Sequence, residues 1–201
     1  MEVLYKYKSM NNLKRVLEMI RDNRLYAPTI DELNDAKEGA FVYPSGTSPT
    51  ERAQFMRMLK NTHTCSLSRL KNNGHMFAIY GDSHKGCCIE LSVTARKWEK
   101  VNVVYSDNIP HISSVDQSSL SEVLMVKSKQ WGDEEEVRYF RYRGKDTVFT
   151  NYLSVRVHRV MFGVKVDKND FELYKSAISG INKNVVVEHL REEDIDFGFS
   201  K

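Results

Sequence analysis

The chain has 201 residues, 41% of them apolar and 28% charged, the balance of a globular protein long enough to bury a real core. Its 30 basic and 27 acidic side chains leave a net charge of +3, too even to demand a nucleic-acid partner, and no run of about 18 apolar residues offers a membrane span. Met1-Glu-Val-Leu-Tyr5 lacks the basic and apolar regions of a signal peptide, and Cys65, Cys87 and Cys88 form an odd set without zinc-ligand spacing. The expectation is therefore a single domain over residues 1–201 in a reducing cytoplasm, with no membrane association and no metal.

In chain order, Leu4 to Lys8 alternates large apolar with basic residues and reads as a first strand. Ser9 caps a following helix whose apolar stripe is Leu13, Val16, Leu17 and Ile20, ending near Asp22-Asn23. Leu25 to Ala27 is a short extended piece, and Thr29 to Gly39 is polar and turn-rich. Its Asn34, Asp35 and Glu38 either bind a ligand or close turns on their own backbone. Ser48, Pro49 and Glu51 carry the chemistry of a helix start: a capping hydroxyl, a first-turn proline and a reciprocal acid. Phe55, Met58 and Leu59 give that helix its buried side.

Thr64 to Ser68 reads as a strand, Lys71 to Gly74 as a turn, His75 to Tyr80 as a short helix, and Gly86 to Val93 as a central strand after a Gly-bounded turn. Val101 to Tyr105 reads as a strand and Asp116 to Val126 as a helix. Gly144-Lys145-Asp146 is a hairpin turn, and Tyr152 to Val157 and Arg159 to Val166 are two strand-like pieces. Asp167 to Ser179 is a helix with Phe171, Leu173, Tyr174 and Ile178 facing inward; Val185 to Val187 is a last strand, and the tail from Glu192 to Lys201 frays. The sum is α+β: a twisted, largely antiparallel sheet with helices on its faces. Dinucleotide, phosphate-loop, zinc-protease and α/β-hydrolase motifs do not occur.

The densest chemistry lies between Lys127 and Arg143. If Glu134 opens a strand, Glu134 and Glu136 share one face, and their mutual repulsion raises the proton affinity of one of them. The same acids also fit a solvated turn balanced by Arg138, Arg141 and Arg143. His75 and His84 bracket the Tyr80 segment, a weak pointer to a site.

Taken in order, several segments resemble a bacterial and phage family filed as domain of unknown function 2971. They are Leu4 to Tyr7; Asn34, Asp35 and Glu38; Ser66 to Ser68; Met76 to Tyr80 leading to His84 through Glu90; Lys127 or Lys129 before Trp131, Glu134, Glu136 and Arg138; and Val157, Val160, Phe162 and Gly163. Ala36 stands where the family usually has proline, and Phe77 where tryptophan is common. The family is similar in layout to ADP-ribosyltransferases: an early strand with a polar or aromatic reader, a middle strand, and a late Glu-x-Glu strand.

That resemblance implies an NAD-consuming effector in bacterial or phage conflict. Glu136 would stabilise the oxocarbenium-like transition state and Glu134 would help activate the acceptor. It implies binding roles for Tyr5, Lys6, Tyr7, Lys8, Tyr80, His84, Lys127, Lys129, Trp131 and Arg138. NAD is then a substrate and the acceptor a macromolecule. The usual early His or Arg is missing, so Tyr5, Lys6 or Tyr7 stands in for it. A second expectation is nucleic-acid binding or processing, from Arg138, Arg141, Arg143, Arg156 and Arg159 interleaved with Tyr139, Phe140, Tyr142 and Tyr152. A third is a non-enzymatic sensor or partner.

Overall fold

A computed structural model describes residues 2–33, 38–145 and 148–197. Ten strands and five α-helices are formed among them: β1 Leu4–Lys8, α1 Leu13–Asp22, β2 Arg24–Tyr26, α2 Pro49–Lys60, β3 Thr62–Ser68, α3 Gly74–Ile79, β4 Cys87–Val93, β5 Glu99–Asn102, β6 Val104–Tyr105, α4 Leu120–Leu124, β7 Val126–Lys127, β8 Glu136–Tyr142, β9 Tyr152–Phe162, α5 Lys168–Ile181 and β10 Val186–His189. The larger sheet runs β10-β9-β4-β1-β3-β8-β5, with β2 beside β9; β6 and β7 form a separate parallel pair. The fold is α+β with a large, mostly antiparallel sheet.

The chain falls into two compact units. The first is built from Met1–Leu25, Leu67–Ala95 and Ser154–Lys201. Here β4 pairs antiparallel with β1, setting Leu4 opposite Leu91 and Lys8 opposite Cys87, and antiparallel with β9 on its other edge. β10 joins β9 in parallel, Val186 opposite Arg159. The two strand-like pieces expected around His158 are one strand. Glu90 lies opposite Arg159 and Leu91 opposite Val157, so His158 is an extra residue, a β-bulge that keeps the ladder running. Tyr7, Met76, Phe77, Cys88, Met161, Leu190 and Ile195 form one core cluster. α1 turns Val16, Met19 and Ile20 inward, the stripe of Val16 and Ile20 with Met19 rather than Leu13 as its buried companion. On α5 Phe171 and Ile178 are buried, whereas Leu173 is 61% exposed.

The tail expected to fray from Glu192 forms a 3-10 turn over Glu192–Asp194, and Ile195 is buried. Gly74 N–H then donates to Asp196 O at 2.7 Å. The turn before β4 is tight: Asp82, Ser83 and His84 are all left-handed, with φ of 51, 52 and 72°. Gly163 closes over it, since a Cβ there would lie 2.3 Å from His84 O.

The second unit comprises Tyr26–Ser66 and Arg96–Leu153. Ser48 caps α2 as the sequence suggests: its hydroxyl accepts from Glu51 N, and Glu51 Oε2 accepts from Ser48 N at 2.8 Å. β5 pairs antiparallel with β8, Glu99 opposite Phe140 and Asn102 opposite Val137. Val103 breaks the strand expected over Val101 to Tyr105, and β6 pairs instead with β7. Asp116 to Val126, expected as one helix, is a 3-10 turn followed by the short α4. The core is Phe55, Leu59, Ile112, Leu120, Val123, Leu124 and Phe140, and it anchors β8 from below.

Candidate functional site

Four pieces of the second unit bring charged side chains together. β7 supplies Lys127; a 3-10 helix over Lys129–Glu134 supplies Glu134; β8 supplies Glu136 and Arg138; and the turn at Glu38 supplies a third acid. Glu135 has φ 42° and ψ 54°, a left-handed residue that ends the 3-10 helix and re-aims the backbone into β8. Glu134 therefore does not open the strand. The two acids meet because of that break, not through the two-residue repeat of a strand.

All of these side chains are sealed from water: Arg138 is 1% exposed, Glu134 and Glu136 3%, and Lys127 8%. The Lys127 ammonium lies 2.6 Å from Glu134 Oε2, 3.0 Å from Glu136 Oε2 and 3.8 Å from Glu38 Oε1. Arg138 donates through Nε to Glu136, through Nη2 to Glu38, and through Nη1 to Leu124 O at 3.0 Å. The Glu136 backbone N–H donates to Tyr105 Oη at 2.7 Å. Trp131 lies over Lys127, its ring centre 4.9 Å from Nζ, and its indole Nε1 is buried without a hydrogen-bond partner among the described residues.

The electrostatics reverse the expected repulsion. Burial alone would push the Glu136 carboxyl up. The Arg138 charge and hydrogen bond, Lys127 and the Ser66 hydroxyl outweigh it, and they hold Glu136 well below the usual carboxylate range. Glu38 goes the other way: its burial outweighs the pull of Arg138 and Lys127, and its proton affinity rises. Glu136 lies close by and adds to the rise, although Glu38 pairs with Arg138 and lies 3.8 Å from Lys127. Lys127 is held protonated, because Glu136, Glu134 and Glu38 together outweigh its burial.

The other expected site residues lie elsewhere. Lys129 is exposed, 3.8 Å from Asp107. Tyr5, Lys6, Tyr7, Lys8, Tyr80 and His84 belong to the first unit. Tyr7 is a core residue there: its hydroxyl donates to Leu70 O and accepts from Asn73 N, at 2.8 and 2.9 Å. Tyr5 and Tyr80 pack against the same cluster. His84 stacks on Phe77; burial, with Lys165 nearby, lowers its proton affinity, and its Nδ1 has no hydrogen-bond partner among the described residues. Asn34 and Asp35 lie outside the described residues.

The five arginines of the nucleic-acid expectation divide between the two units. Arg138 is buried in the acid cluster, Arg159 pairs with Glu188, and Arg156 belongs to the first unit with Arg159. Arg141 and Arg143 lie over the ring of Phe149, at 4.9 and 5.8 Å.

No family model, curated protein or solved structure matches the chain.

Among the described residues, two cavities can be delineated. One, of about 570 Å³, lies in the first unit among Asn23, Thr94, Arg156, His158, Asn182 and Asn184. The other, of about 400 Å³, lies in the second among Thr50, Gln54, Arg57, Met58 and Tyr142. Neither is lined by Glu134 or Glu136. Among the described residues no helix is long and apolar enough to cross a membrane.

Sequence reasoning singled out Lys127, Glu134, Glu136, Arg138 and Glu38. It missed Tyr105, which carries no motif. It also missed Asn23 and His158, whose only signal is their place at strand ends and bulges.

Proposed function

We propose that this protein is an ADP-ribosyltransferase-like, NAD-consuming effector acting in bacterial or phage conflict, with Glu136 as its principal acid. The observation that supports this reading is Glu136 itself, the first residue of β8, oriented by Arg138 and held ionised. Stabilising a developing ribosyl cation requires a fixed negative charge, and a carboxylate of low proton affinity provides one at neutral pH. Ser66, on the middle strand β3, adds a hydrogen bond to the same carboxylate.

In this reading the glycosidic bond to nicotinamide breaks, nicotinamide departs with the bonding pair, and an acceptor nucleophile attacks the ribose carbon. The carboxylate of Glu136 faces the positive charge while it develops. Lys127 must yield its 3.0 Å contact with Glu136 to the substrate, and Glu134 would then steer the acceptor.

The test is turnover of a fluorescent NAD analogue, offered with protein and nucleic-acid acceptors, by wild type, Glu136→Gln and Glu134→Gln. Each variant is first checked for its native fold by circular dichroism. The reading expects turnover by wild type, severe loss in a folded Glu136→Gln, and partial loss of transfer in Glu134→Gln. No turnover by wild type, or equal turnover in wild type and Glu136→Gln, overturns it.

A second reading, nucleic-acid binding, keeps one specific support. Arg141 and Arg143 both lie against the ring of Phe149, with His63 tilted against the same ring at 4.9 Å between centroids. Charge and stacking together are how single strands are held. A gel shift with single-stranded RNA and DNA that weakens steeply with salt supports it; no shift at low salt removes it.

A further inference from the structure

We infer that the cavity of the first unit is a binding site for a small anionic ligand, one carrying a phosphate or carboxylate group, with Arg156 as its charged anchor. The inference does not rest on the NAD reading and concerns a different unit of the chain.

The cavity comes from the way β9 is flanked. Asn23 is left-handed, at φ 49°, and seals the first part of the strand: its carbonyl accepts from Val155 N at 2.9 Å and its Oδ1 from Val157 N at 3.2 Å. Further along, β10 pairs with β9 from Arg159 onward. Between these two attachments lies the bulged residue, His158. Bulges re-aim side chains, and this one brings His158 Nε2 to 2.8 Å from Ser92 Oγ on β4. Ser92 lies opposite Arg156 in the ladder, so Arg156 projects on the same face as that pair. Asn182 and Asn184, between α5 and β10, form the facing wall with Thr94 at the end of β4.

Arg156 and two side-chain amide groups offer donors there. A backbone N–H can only donate, so the Asn23 atom facing Val157 N is its oxygen, and its NH₂ has no partner among the described residues. Asn182 is in the same position: Oδ1 accepts from Asn184 N at 3.1 Å, and its NH₂ has no partner among the described residues. Arg156 has no carboxylate partner among the described residues, and no acid lines the cavity. The nearest acid along the chain, Asp22, already pairs with Arg21 and Arg24 at 2.8 and 3.0 Å.

The C-terminal end of α5 contributes carbonyls of opposite sign, which a full guanidinium charge outweighs. A guanidinium beside several amide donors is complementary to a planar or tetrahedral oxyanion, which accepts from all of them. The volume of about 570 Å³ admits a molecule of nucleotide size and lies within the range of small-ligand sites.

Isothermal titration of the full chain at constant ionic strength tests this, with inorganic phosphate, AMP and citrate as probes and adenosine as the uncharged control. The expected result is saturable binding of at least one anion and none of adenosine. Arg156→Gln weakens that binding roughly ten- to a hundredfold, the cost of losing a hydrogen bond to a charged group. Asn184→Asp, which sets a negative charge in the opposite wall, weakens it as well. Both side chains are exposed, and the melting temperature of each variant confirms its fold. Binding of phosphate and AMP without citrate identifies a phosphoryl ligand; the reverse identifies a carboxylate. Absence of saturable binding with all three anions, or equal binding in Arg156→Gln, or adenosine binding as tightly as AMP, overturns the inference.

Discussion

The guanidinium of Arg138 turns back onto the carboxylate of Glu136, two residues earlier on the same face of β8. Each is nearly inaccessible to water, so each is the other's main compensation for burial. Removing one leaves the other charged in a low-dielectric core with only its remaining partner, Lys127 for Glu136 or Glu38 for Arg138. Arg138→Met is expected to destabilise the protein by about 3–5 kcal/mol, read from the midpoint of urea unfolding. Lys129→Ala, at an exposed and loose pair, is expected to cost less than about 1 kcal/mol.

The acids of the cluster oppose one another as pH changes. Glu136 binds its proton more weakly folded than unfolded. Its contribution is therefore fully present above the ordinary carboxylate range of about 4 and is lost as pH falls toward its lowered folded value. Glu38, with its raised affinity, contributes most below that range and loses its contribution as pH rises through its folded value. Thermal unfolding between acid and neutral pH checks both. Glu136→Gln is expected to flatten the acid limb of the stability profile, and Glu38→Gln to cost little at neutral pH while removing the opposing trend.

The turn under Gly163 predicts opposite outcomes for two small changes. Gly163→Ala forces a methyl group to 2.3 Å from the His84 carbonyl oxygen and 2.9 Å from its carbon, so backbone must move. A loss of about 3 kcal/mol or more in chemical denaturation is expected. Ser83→Gly relieves a left-handed serine and is expected to gain about 1 kcal/mol.

Cysteine chemistry should report global unfolding. Cys65, Cys87 and Cys88 are buried and form no disulfide among the described residues, and burial pushes the Cys88 thiol up to about 12 and Cys87 higher still. The thiolate is the reactive form. Alkylation at neutral pH followed by mass spectrometry is expected to leave all three unmodified in native protein and to label them together once denaturant unfolds the chain.

Local chemistry in the sequence carried much of the fold. Ser48, Pro49 and Glu51 mark the start of α2 because capping is decided within four residues. Leu4 to Lys8 and the run after Gly86 read as strands for the same local reason. What stayed hidden depended on distant partners. The Glu134–Glu136 spacing, taken alone, signals repulsion; its sign reverses once Lys127 and Arg138 lie beside it and Glu135 turns left-handed. The β9 bulge left no mark either, so one strand read as two. Tyr7 looked like a ligand reader because an aromatic between lysines is ambiguous until Phe77 and Leu70 close over it.

The first unit is assembled from three separate stretches of chain, with both stretches of the second unit written between them. Its central strand β4 can bind β1 early, but its other edge stays bare until β9 exists, far downstream. Nascent protein must therefore carry an unsatisfied hydrogen-bonding edge of apolar composition through most of its synthesis. Slow, nonlocal folding of this kind exposes a chain to sticking to its neighbours, and chaperone occupancy in the cell is expected to concentrate on that interval.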